Sequence, residues 1–83
     1  MSDKIKVPRF RSQDYRGNTP AAKREIFRGL GDDYVNQAWN IVDAAKREGT
    51  LRKAAHLLAQ AAYAMRQAAA VKRELDHMED AEK

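Results

Sequence analysis

The sequence predicts an all-α fold: an extended basic N-terminal arm, a short helix, then an antiparallel helical hairpin ending in a long alanine-rich helix. Three observations predict it. Between Leu51 and Met78 there is neither glycine nor proline, and alanine, the best helix former, dominates. Gly49-Thr50 interrupts two apolar-periodic stretches with room only for a tight turn. Gly17-Asn18-Thr19-Pro20 separates these stretches from a segment without helical period.

The arm spans positions 1–18 and is expected to be extended or partly disordered. Ile5 and Val7 alternate with Lys4 and Lys6 before Pro8 shifts the phase. Alternation this short fits an extended segment that orders on something else. Positions 19–83 read as a single helical domain. Thr19 is placed as an N-cap with Pro20 at the first helical position, where a missing N–H costs nothing. The first helix is expected over 20–28, contributing Ile26, Phe27 and Leu30, with Gly29 and Gly31 bracketing its end. Asp32 then offers a second N-cap. The second helix is expected over 33–47, with Tyr34, Val35, Ala38, Ile41, Val42 and Ala45 forming one stripe and Trp39 at its border. Gly49 suits a left-handed cap, and Thr50 caps the third helix.

The third helix is expected over 51–78. Read by sevens, Leu51, Leu58 and Met65 form one column, and Ala54, Ala61, Ala68 and Leu75 the next. Ala55, Ala62 and Ala69 flank one side, and Leu57, Ala64, Val71 and Met78 the other. This face is wider than contact with one helix requires. A second neighbour is needed, either the first helix or another copy of the chain, and a homodimer is preferred. The size of the chain argues the same way. Domains this small bury only about 60% of their unfolded surface, and many are completed by disulfides, metals or partner chains. With 83 residues and no cysteine, the disulfide route is closed.

Composition narrows the chemistry. The chain carries a net charge of +4, yet Met1 to Arg28 holds eight basic residues against three acidic ones. All the excess positive charge therefore lies in the first third, which points to an acidic partner, either phosphate or a carboxylate-rich protein surface. No run approaches the roughly 18 apolar residues of a membrane span. Pro8, Arg9 and Arg11 interrupt any leader-like core, and a cytoplasmic protein is expected. The only serines, Ser2 and Ser12, have no histidine and acid at a recognisable spacing, and the glycines form no phosphate loop. Glu74 and His77 share a helical face but read as a solvated helix end. No catalytic residue, cofactor or metal site is expected.

The stretch Lys53 to Arg66 resembles the helix-turn-helix pattern of alanines, leucine, turn and recognition helix, which implies that Gln60 to Arg66 would enter the major groove. It departs where the turn belongs. Ala59 stands in place of the turn glycine and Gln60 in place of the apolar anchor, so a straight helix is expected instead.

Two binding readings remain. Trp39, Tyr63, Arg66 and Phe10 are the candidates for docking onto a larger protein, being of the residue types that dominate interface energetics or lying beside them. In the alternative, Lys4, Lys6, Arg9, Arg11 and Arg16 contact nucleic-acid phosphates while Phe10 and Tyr15 stack on bases. The first reading is preferred: a non-enzymatic regulator, inhibitor or adaptor.

Overall fold

The computed structural model describes residues 7–81, all of whose regular structure is helical. A 3-10 turn, Ser12–Tyr15, precedes two long helices, α1 (Pro20–Lys46) and α2 (Leu51–Ala81), packed as an antiparallel hairpin. Thr19 caps α1, its hydroxyl accepting from the Ala22 N–H at 3.2 Å, with Pro20 at the first position. Thr50 does the same for α2, accepting from the Lys53 N–H at 3.3 Å.

Two local expectations are overturned. The separate helices over 20–28 and 33–47 are one continuous α1, with Gly29, Gly31 and Asp32 inside it. Tertiary packing overrides the two glycines. Phe27 and Tyr34 lie seven residues apart on one face and belong to one buried cluster with Val71 of α2. A break between them would lose that shared contact, whereas two helical glycines cost about 2 kcal/mol. Nor is Gly49 left-handed, since no glycine among the described residues has positive φ. α1 closes instead through short-range bonds from the Arg47 N–H to Ala44 and the Glu48 N–H to Ala45, at 3.1 and 3.2 Å.

Neither helical glycine needs its lack of a side chain. An added Cβ meets nothing within 4 Å at Gly29, and only Val71 Cγ1 at 3.8 Å, an ordinary contact, at Gly31. Gly29→Ala and Gly31→Ala are each expected to stabilise the fold by about 0.8–1 kcal/mol. Thermal unfolding should show a midpoint raised by roughly 4–8 °C per kcal/mol in a domain of this size.

The interior is uneven. Near the turn, the helices meet through Ala38, Ile41 and Ala45 on α1 and Ala61 and Ala64 on α2, all buried. Alanine permits close backbone approach but buries little area per residue. Toward the open end of the hairpin the side chains become large. Phe27, Tyr34 and Val71 form the main apolar cluster, and Val7, Phe10, Tyr15, Ile26, Leu30 and Leu75 pack around it. The N-terminal segment thus completes the core. The Phe10 and Tyr15 rings each meet Phe27 edge-on at 5.3 Å. The Phe10 N–H donates to Gln67 Oε1 at 2.8 Å, and the Tyr34 hydroxyl donates to the Pro8 carbonyl at 2.7 Å. Lys4 and Lys6 lie outside the described residues.

Burial pushes the Tyr34 hydroxyl pKa above its ordinary value of 10.0, and the neighbouring Tyr15 and Tyr63 hydroxyls add to the effect. A raised folded-state pKa means the folded chain holds this proton more tightly than the unfolded chain. Its stabilising effect is whole below pH ~10 and is lost as pH rises through the folded value. Tyr34→Phe is expected to cost about 1 kcal/mol at neutral pH through the lost hydrogen bond. The same variant should show a flatter loss of stability above pH ~10 than the parent in alkaline denaturation.

Candidate functional site

A two-helix hairpin has two broad sides, and the N-terminal segment covers one of them. Val7 lies with His56, Gln60, Tyr63 and Arg66 of α2 around a groove of about 400 Å³. Residues Arg9 to Gln13 lie beside Ala70 and Glu74. On that side Gln60 faces His56 at 3.3 Å through its nitrogen, while its oxygen is buried without a hydrogen-bond partner.

Among the described residues, nothing covers the other side. Of the four apolar columns on α2, two are used against α1: Ala54, Ala61, Ala68 and Leu75, with Leu57, Ala64, Val71 and Met78, are buried or half-buried. The remaining two face out. Leu51 is 85% exposed, Leu58 48% and Met65 38%, and Ala55, Ala62 and Ala69 between them are exposed as well. Val35 of α1 joins Met65 and Ala69 in lining a shallow apolar groove of about 570 Å³, with Arg28, Asp32 and Lys72 at its rim. One turn beyond Val35 stands Trp39, 57% exposed, and Val42 follows, half-buried. Helical spacing puts these three α1 residues in one strip on the same side as the α2 columns. Side chains of this kind gain about 1.5–3 kcal/mol each when taken fully out of water. Exposed apolar patches rimmed by charge are, in general, where interaction sites are found.

The docking candidates do not converge on one place. Trp39 is on the uncovered face. Tyr63 is half-buried on the opposite side, with the Arg66 guanidinium 5.9 Å from its ring centre. Phe10 is held in the aromatic cluster, stacked on Tyr15 at 6.3 Å and edge-on to Phe27. Of the basic candidates, Arg9, Arg11 and Arg16 are exposed, and Arg11 approaches Asp14 at 3.9 Å in a solvated pair that contributes little. Leu58 and Met65 of α2 carry the face together with Val35 of α1, and the excess width of the apolar surface over 51–78 is the sequence signal for the first two.

No group of three or more His, Cys, Asp or Glu among the described residues is arranged to hold a metal ion, and no helix among them is long and apolar enough to cross a membrane. The continuous course of α2 through Ala59 and Gln60 leaves no helix-turn-helix. No protein-family model, curated protein or solved structure matches the chain.

Proposed function

We propose that this chain is a non-enzymatic interaction protein, a regulator, inhibitor or adaptor, that docks onto a larger protein through the uncovered face of its hairpin. One observation carries the reading: Trp39, Leu58 and Met65 stand exposed on the side that the N-terminal segment leaves open. Tryptophan is the residue most enriched among interface hot spots, and a ring already projecting from a helix needs little rearrangement to enter a partner's pocket. Action would be by occlusion or bridging, since a rigid helical face positions a bound surface without chemistry of its own.

The nucleic-acid alternative draws on the exposed Arg9, Arg11 and Arg16. Its stacking half is weakened, because Phe10 and Tyr15 turn toward Phe27. What is left is phosphate contact, whose affinity falls steeply with salt.

The test is affinity capture with the tagged chain, with and without nuclease, comparing the parent with Trp39→Ala and with Arg9, Arg11 and Arg16 replaced together by alanine. The docking reading expects a protein that survives nuclease and moderate salt and is lost with Trp39→Ala, while the helical circular-dichroism signal is retained. Capture that depends on the three arginines and vanishes with nuclease overturns it in favour of nucleic acid.

A further inference from the structure

We infer that, in the protein by itself, the uncovered face is occupied by a second copy of the chain, paired through α2 in antiparallel orientation about a two-fold axis near position 60. The inference rests on the reading of this face as an interface and gives it an occupant.

The order of residues along the exposed strip carries the argument. From Leu51 the strip runs Leu51, Ala55, Leu58, Ala62, Met65, Ala69, at alternating spacings of four and three residues. That is the heptad spacing of a helix–helix seam, and it is separate from the seam already used against α1. None of the six positions is charged or polar. Large and small side chains alternate, so the strip is complementary to itself when reversed. An antiparallel copy sets Leu51 against the partner's Ala69, Ala55 against the partner's Met65 and Leu58 against the partner's Ala62. Every contact is then large against small, which lets the backbones approach evenly. A parallel copy in register sets leucine on leucine and leaves gaps at each alanine.

α1 agrees with this axis. Gly31 lies against Val71, and the turn joins Lys46 to Leu51. Position 60 of α2 is therefore level with about position 40 of α1. Reversal about that level brings Trp39 to the partner's Val42, again large against small. Both helices thus accept the same two-fold operation, as an isologous interface requires. The product is a four-helix bundle, a common solution for hairpins with two apolar sides.

The dimensions leave a large surface for such a partner. The chain measures 50 × 24 × 14 Å, with a radius of gyration of 15.2 Å, where a compact domain of this length is expected near ~12 Å. Its accessible surface is 6164 Å², against roughly 5,000 Å² for a folded monomer of its mass. The excess is comparable with the roughly 800 Å² that each partner buries in a standard interface.

Sedimentation equilibrium on the full chain, with cysteine cross-linking, tests the pairing; the native sequence has no cysteine to interfere. The parent should sediment at about twice its 9.4 kDa. Leu58→Glu should weaken the dimer at least ~30-fold, the effect of losing one interface hot spot, with its helical signal unchanged. Chains carrying Ala55→Cys mixed with chains carrying Met65→Cys should form a disulfide-linked pair under mild oxidation. Neither variant alone should cross-link, since each cysteine lies about 15 Å along the axis from its own copy, well beyond disulfide reach. A parent that stays monomeric, a Leu58→Glu chain as dimeric as the parent, or Ala55→Cys cross-linking by itself overturns the inference. A monomer whose captured protein is still lost with Trp39→Ala leaves the docking reading standing without the dimer.

Discussion

Phe27→Ala is expected to remove about 3–5 kcal/mol of folding stability, the range for deleting a buried aromatic side chain. Phe27 is 1% exposed and joins three elements: its own helix, Val71 of α2, and the Phe10 and Tyr15 rings of the N-terminal segment. A chain of this length has roughly 4–12 kcal/mol in total at the usual stability per residue, so the variant should be partly or wholly unfolded at neutral pH. Urea denaturation followed by circular dichroism measures the loss directly. Lys53→Ala, at an exposed position of α2 away from the apolar strip, is the control and should fall within about 0.5 kcal/mol of the parent. A Phe27→Ala loss below about 1 kcal/mol would mean that the aromatic cluster is not the main core.

Ala64→Leu should be the second most damaging change, for the opposite reason. Ala64 is fully buried where α1 and α2 approach through alanines, beside the equally buried Ala38. No space exists there for three further carbons, and the hairpin must either part or force strained rotamers, at about 1–3 kcal/mol or more. Ala59→Leu, at an exposed position of the same helix, introduces the same atoms without the clash and should be nearly neutral. The comparison isolates close helix approach from helix propensity, because both substitutions replace alanine with leucine in α2.

The two helix N-caps and the position of the turn are legible because their signals are local, whereas the left-handed cap expected at Gly49 does not form. Thr19 with Pro20, and Thr50 after Gly49, act through hydrogen bonds within one turn of chain, and both caps form as their residues suggest. At Gly29 to Asp32 the local signals for a break oppose a tertiary one, and the tertiary one prevails. Phe27, Tyr34 and Val71 reward a continuous helix more than two glycines penalise it, and Val71 lies forty residues further on. The width of α2's apolar surface was visible as four columns, but which two columns meet α1 is settled by packing. Phe10 illustrates the same limit. Its place in a basic, aperiodic segment reads as exposed, while its ring sits against Phe27 through a fold in the chain that no spacing rule reveals. Trp39, at the border of its stripe, can be read either as core or as exposed from spacing alone, and its 57% exposure places it at the surface of the chain.

The claim that the uncovered face is an interface is tested most directly by the quenching of the chain's single tryptophan. Trp39 stands on that face and no other tryptophan contributes to the signal. Acrylamide quenching should be strong in dilute solution, where the ring is open to solvent. It should weaken, with a blue shift in emission, as the protein is concentrated and a second copy covers the face, and Leu58→Glu should abolish the change. Equal quenching of the parent from nanomolar to high micromolar concentration, in the presence and absence of any captured partner protein, would contradict the account.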